Sequence, residues 1–330
     1  MTLKCDAVFE GGGVKGIALV GAVSAIQKAG YEFENLAGTS AGAIVASLLA
    51  AGYSADEIEN ELQTVNYNDF KDENFLDKFG LPGVVLSAAL EYGVYKGDFF
   101  ENWLETLLQA KGKTTFGDIK MENPPQEKYK YKFQAIACDI TEKRLLVLPG
   151  DLKLYGYDPD LFGIARAVRM SMSIPIFFEP VKLTDGSGRD HLIVDGGVLS
   201  NYPVWLLDDG TSDPEWPTFG FKLTDADTRS LNQPVHNLIR NFPNYLVALV
   251  SSMIEAHDNY HISISRGDYD RTIAISTTVE IEGGKKKIGT TDFNITRAES
   301  RALYDNGLKA AEVFLDNWDF EGWKKKYRQG

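Results

Sequence analysis

A chain of 330 residues, 44% hydrophobic and 25% charged, can bury a substantial core, as one large α/β domain or two smaller ones. Its formal net charge of -13 argues against a nucleic-acid partner and against simple electrostatic adsorption to anionic membranes, so any membrane contact would be transient and hydrophobic. Two cysteines, Cys5 and Cys138, both in apolar strand patterns, read as reduced core residues and not as a disulfide framework or a zinc motif.

The first predicted strand is Cys5-Asp6-Ala7-Val8-Phe9-Glu10, followed by the loop Gly11-Gly12-Gly13-Val14-Lys15-Gly16 and an apolar helix over 17–26. Three successive glycines ahead of a helix leave backbone N–H groups uncovered, and such donors can hold a developing oxyanion. The same residues allow a rival reading. Gly11, Gly13 and Gly16 fit the Gly-x-Gly-x-x-Gly dinucleotide fingerprint, with Glu32 or Glu34 near the place of a ribose-binding acid, which would make the chain an NAD-dependent oxidoreductase. That reading is weakened because Tyr31-Glu32-Phe33-Glu34-Asn35-Leu36 makes a poor buried parallel strand. A Walker-type P-loop fails outright, since Ile17 follows Gly16.

Next comes Gly38-Thr39-Ser40-Ala41-Gly42, a Gly-x-Ser-x-Gly match, which would hold a serine on a sharp strand-to-helix corner. The run after it, Ala43 to Ala51, is apolar nearly all round and closes on Gly52, as a buried helix would. Alone the match is weak, because glycine-rich turns between strand and helix are common. The preceding oxyanion-type loop gives it weight.

Between residues 75 and 108 the chain carries an apolar patch, including Phe79, Leu81, Val84 and Leu90. It reads as a core-facing helix or as a cap over an acyl groove. An amphipathic helix is predicted over 99–108. Asn123-Pro124-Pro125 and 213–217 read as surface loops, and 131–137 as a strand. His191 begins the strand His191-Leu192-Ile193-Val194, which runs into Asp195-Gly196-Gly197, so that Asp195 falls at a strand's C-terminal end, where α/β sheets gather catalytic groups. Of the four histidines, His236, His257 and His261 read as solvated or structural, and His191 is the hardest to dismiss as a base. Farther on, Lys285-Lys286-Lys287 reads as a hairpin tip, Thr296-Arg297-Ala298-Glu299 as a capping box opening a helix to about Leu315, and 323–328 as an exposed basic tail. A signal-peptide core and an apolar run of transmembrane length are both lacking, which leads to the expectation of a soluble, cytoplasmic protein, with export by another route left open.

Taken together, these motifs resemble the patatin-like phospholipase family: a Gly-rich oxyanion loop at Gly11 to Gly16, a Gly-x-Ser-x-Gly elbow at Gly38 to Gly42 and an Asp-Gly-Gly at Asp195 to Gly197. Supporting blocks at 93–97, 169–175 and Asn201-Tyr202-Pro203 extend the resemblance to about Pro203, and 291–295 resembles bacterial members. Lys15 stands where many members have arginine. The resemblance implies a three-layer α/β/α fold with a mainly parallel sheet and a single domain over 1–330, with its motifs in 5–205 and residues 206–330 packed on it. It also implies a lipid acyl hydrolase of carboxylic esters with a Ser40–Asp195 dyad, in which Ser40 is the nucleophile and Asp195 the general base. Gly11, Gly12 and Gly13 would be the oxyanion donors, with Lys15, Gly16, Gly38, Gly42, Gly196 and Gly197 in support. No metal or organic cofactor is called for; lipid or another acyl ester is the expected partner. A catalytically silent lipid-binding protein of the same fold is the non-enzymatic alternative.

Overall fold

The computed structural model describes residues 2–65, 93–208, 210–224, 267–282 and 284–329. The apolar patch from Phe79 to Leu90 and the histidines His236, His257 and His261 lie outside them.

The strands are β1 (Leu3–Phe9), β2 (Tyr31–Thr39), β3 (Gly93–Tyr95), β4 (Phe133–Asp139), β5 (Arg144–Leu148), β6 (Ile176–Phe178), β7 (Val181–Thr184), β8 (Asp190–Asp195), β9 (Thr218–Thr224), β10 (Thr272–Ser276), β11 (Thr278–Ile281) and β12 (Gly284–Lys287). Helices α1 (Gly16–Lys28), α2 (Ala41–Ala50), α3 (Ala55–Thr64), α4 (Asp98–Ala110), α5 (Ile164–Ser171), α6 (Arg297–Asn317) and α7 (Phe320–Tyr327) accompany them. The main sheet runs β10-β9-β1-β2-β4-β8-β7, with β5 also paired to β4. From β10 to β4 all neighbours are parallel, whereas β8 runs against β4 and β7 against β8.

Period-two alternation divides β1 between two cores. Cys5, Ala7 and Phe9 join the larger one, with α1 and α2, while Val8 faces Ala37, Ile136, Tyr129, Leu206 and Leu207 on the other side. α1 and α2 are apolar almost all round because sheet and helices enclose them. α6 lies on α1 at backbone distance, since a Cβ at Gly21 would fall 2.0 Å from the Tyr304 carbonyl oxygen and one at Gly307 1.8 Å from that of Ala18.

Three expectations need correcting. Tyr31 to Leu36 is the first part of β2, in parallel register with β1, despite its two glutamates; Glu32 is exposed and Glu34 pairs with Lys4 at 2.9 Å, so both acids are accommodated at the sheet's rim. Lys285 to Lys287 form the exposed arm β12 of a hairpin and not its tip. Residues 323–328 are not a loose tail. Trp323 is buried in α7 and donates to the Gly267 carbonyl at 3.0 Å, and Arg328 pairs with Asp208.

Candidate active site

Ser40 is brought to Asp195 by an unusual meeting of strands. β2 pairs with β4 from Leu36↔Phe133 to Thr39↔Ile136, and β8 pairs with β4 from Asp195↔Ala137 to Ile193↔Asp139. Because β5 pairs with β4 from Ala135 to Asp139, overlapping both stretches, β2 and β8 share the opposite edge. One runs parallel and the other antiparallel, so their C-terminal ends meet head to head at Ile136 and Ala137. The sequence expectation located Asp195 by a rule for parallel strands; the residue reaches the site because its strand is antiparallel.

At the end of β2, Ser40 takes φ 53° and ψ -124°, a sparsely populated conformation for a residue with a Cβ, costing about 1–3 kcal/mol. Neighbouring groups hold it there. The Ser40 N–H donates to Ser171 Oγ at 3.0 Å, and that hydroxyl donates to the Ile136 carbonyl at 2.6 Å. Gly38 and Gly42 allow the corner to close: a Cβ on Gly38 would meet the Gly42 carbonyl carbon at 2.4 Å, and one on Gly42 would meet the Phe9 carbonyl oxygen at 2.3 Å.

The Asp195 carboxyl is buried, with 2% of the residue exposed. Its Oδ1 accepts from the Gly197 N–H at 2.7 Å, while Oδ2 has no hydrogen-bond partner among the described residues. Burial pushes the carboxyl up to about 7, against smaller lowering contributions from the Gly197 N–H and the adjacent Ser40 side chain. Its N–H is held by the Ser173 carbonyl at 2.9 Å. Gly196 crosses β4 so closely that a Cβ would sit 2.3 Å from the Ile136 carbonyl oxygen.

The glycine loop lies beside this pair. Gly11 donates its N–H to the Asn201 carbonyl at 3.1 Å, and Val14 donates to Thr290 at 3.1 Å. Among the described residues, no hydrogen bond occupies the N–H of Gly12 or Gly13. The expectation of three donors is therefore narrowed to two, because Gly11 is already engaged. Gly13 has φ +57°, and a Cβ there would fall 2.0 Å from the Thr290 carbonyl oxygen. Lys15, half-buried, closes the short 3-10 turn that leads into α1, and Gly16 begins the helix against Ala41.

An apolar groove opens at Ser40, walled by Val14, Ile44, Phe100, Trp103, Met172 and Phe293. The 169–175 block contributes Met172 and Ile174 to that wall. Arg169, buried, donates to Ser173 Oγ, to the Lys96 carbonyl and, at 3.0 Å, to the Glu179 carbonyl, tying that block to the 93–97 block.

His191 stands elsewhere. Its Nδ1 lies 2.9 Å from Asp139 Oδ2 and its Nε2 3.2 Å from Asp185 Oδ2, at the start of β8, four residues and about 13 Å of strand from Asp195. The acids of the rival reading are also misplaced for a ribose. Glu32 pairs in register with Lys4, at the opposite end of β1 from the glycine loop, so the dinucleotide geometry fails for this reason and not for want of a strand. Sequence reasoning missed Thr39, whose Oγ1 donates to the Ser200 carbonyl at 3.0 Å, and Glu10, whose carboxylate holds Lys222 Nζ at 2.8 Å and the Leu223 N–H. An acid at the end of an apolar run, directly before a glycine run, was the available signal for Glu10.

Residues 7–208, more than half the chain, match the sequence pattern of the family described as Patatin-like phospholipase. The chain belongs to the patatin-like phospholipase family. A relative in Bacillus subtilis strain 168, Uncharacterized protein YqhO, is 40% identical over 96% of this chain and 99% of its own length. Probable lipid hydrolase 463L of Invertebrate iridescent virus 6 is 27% identical over 60% of this chain and 61% of that protein. Among solved structures, VipD from Legionella pneumophila has the same fold with a TM-score of 0.52 at 20% identity, covering 94% of this chain and 66% of VipD. ExoU in its heterodimeric complex with SpcU from Pseudomonas aeruginosa gives 0.50 at 15%, covering 96% of this chain and 52% of that one. The chain thus spans about two thirds of VipD and half of ExoU. In this patatin-like chain no described helix is long and apolar enough to cross a membrane.

Proposed function

We propose that this chain is a serine-dependent lipid acyl hydrolase acting on carboxylic esters through a Ser40–Asp195 dyad. The observation that carries the reading is the strained Ser40 beside a buried carboxyl whose Oδ2 has no hydrogen-bond partner among the described residues; burial pushes that carboxyl up to about 7, toward the range of a useful general base. Ser40 Oγ attacks the acyl carbonyl while Asp195 takes its proton, and the carbonyl oxygen becomes an oxyanion facing the Gly12 and Gly13 N–H groups. Collapse of the tetrahedral intermediate releases the alcohol, protonated by Asp195, and leaves an acyl-enzyme. Asp195 then deprotonates a water, which frees the fatty acid and restores Ser40.

Three things support a lipid ester over a polar one: family membership, the name of the viral relative and the apolar groove beginning at the nucleophile. With a net charge of -13, contact with a membrane would be transient and hydrophobic. Capture by a fluorophosphonate probe tests the assignment: labelling at Ser40 with release of fatty acid from a lipid panel is expected. Ester hydrolysis that survives in Ser40→Ala would overturn it.

A further inference from the structure

The oxyanion loop needs an anchor that leaves its donors free. Its N–H groups are bracketed, Gly11 by the Asn201 carbonyl and Val14 by the Thr290 carbonyl, and the two between them donate to nothing among the described residues. Asn201 does more than accept one bond. Its Nδ2 donates back to the Gly11 carbonyl at 3.2 Å, so one residue takes both main-chain groups of Gly11 in a closed pair.

The amide also fills the space that a side chain at position 11 would need. A Cβ there would lie 2.2 Å from Asn201 Oδ1, 3.1 Å from Ser40 Cβ and 3.2 Å from the Thr39 carbonyl oxygen. Gly11, the Asn201 amide and the nucleophile's own carbon therefore meet in one small space. The segment bearing Asn201 starts at the base: Asp195 caps Gly197, and Ser200 accepts from Thr39, the residue before the nucleophile.

We infer that Asn201 is a positioning residue that holds the Gly11 peptide so that the Gly12 and Gly13 N–H groups are presented to the oxyanion at Ser40. This rests on the hydrolase reading above and adds a residue that acts through the loop without touching substrate. Chemistry dictates asparagine here. The site needs a donor toward the Gly11 carbonyl; alanine removes it, and aspartate keeps the shape but sets a carboxylate oxygen against that carbonyl.

The test compares wild type, Asn201→Ala and Asn201→Asp on a soluble short-chain ester, together with a trifluoromethyl ketone that forms a hemiketal oxyanion at Ser40 and a non-hydrolysable ether analogue of the substrate. Losing an oxyanion donor costs about 100- to 1,000-fold, and a displaced donor should cost roughly 10- to 100-fold in kcat. The expected result is that kcat and ketone affinity fall by similar factors in both variants. KM, ether-analogue binding and the pH midpoint of activity should hold, because groove and base are untouched. A purely structural role would lower active protein and Tm without the kcat-against-KM split. Should the alanine variant fail to fold, the near-isosteric aspartate decides. A folded variant with wild-type kcat and ketone affinity overturns the inference, as does an equal loss of ketone and ether binding. Failure of the hydrolase reading is separate and shows as undiminished activity in Ser40→Ala.

Discussion

Asp139 and Asp195 sit on adjacent strands, at 0% and 2% exposure, yet their carboxyls behave oppositely. Burial raises Asp139 too, but it accepts from the Tyr155 hydroxyl at 2.7 Å, the Glu142 N–H at 3.1 Å, the Thr141 N–H at 2.8 Å and His191 at 2.9 Å. These bonds together hold it below the ordinary carboxylate range. Asp195 has a single firm donor, and its pKa rises to about 7. Deeper burial of the Asp195 carboxyl together with fewer donors therefore separates it from Asp139. The well-satisfied carboxyl lies beside His191 near the start of β8, and the under-satisfied one ends that strand beside Ser40.

The largest effect should come from breaking the under-satisfied end. Asp195→Asn keeps shape and burial but cannot accept the serine proton, so hydrolysis should fall at least about 1,000-fold, to near the level of Ser40→Ala. The double variant should be little worse than either single one, since the two act as a unit. Steady-state assays of all three check this, and additive losses would separate the residues. Next in size is the loop. Gly13→Val must abandon φ +57° and clear the Thr290 carbonyl, so kcat should drop roughly 100- to 1,000-fold with a smaller change in KM. Gly12→Ala should do less, because its Cβ would meet only the end of the Leu223 side chain, which can move.

Stability should report the same contrast with its sign reversed. With a folded pKa raised above the unfolded value, protonated Asp195 favours the fold at low pH. That contribution is lost as pH climbs from about 4 through 7. Asp195→Asn should therefore gain on wild type across this window, by up to roughly 4 kcal/mol, measured by urea unfolding at pH 4.5 and pH 8. A stability of Asp195→Asn that falls relative to wild type as pH rises would contradict the raised pKa. The smallest functional effect should come from His191→Gln, which removes bonds to two carboxylates far from Ser40. Stability should fall by about 1 to 3 kcal/mol, with activity within a few-fold of wild type.

The elbow, the loop and Asp195 were legible because each needs glycines at fixed offsets, and that need is written locally. The capping box at Thr296 and Glu299 was legible for the same reason, and both of its hydrogen bonds form. What escaped was set by pairing between distant segments. Tyr31 to Leu36 looked too polar for a parallel strand, yet its glutamates lie on the end that reaches solvent, which only the register with β1 reveals. Likewise 323–328 carries the charges of a tail, but Trp323 donates to the Gly267 carbonyl, 56 residues away, and Arg328 pairs with Asp208, 120 residues away. Nothing local announced that Gly11 was already engaged, since its acceptor, Asn201, lies 190 residues on.

The most direct test of the account is the pH dependence of Ser40 acylation. The rate of fluorophosphonate labelling should be followed from pH 5 to pH 9 in wild type, Asp195→Asn and His191→Gln. A single ionisation near pH 7 is expected in wild type, with the rate rising as Asp195 loses its proton, the same profile in His191→Gln, and a slow, nearly flat profile in Asp195→Asn. A profile that survives in Asp195→Asn and disappears in His191→Gln would contradict it and assign the base to the histidine.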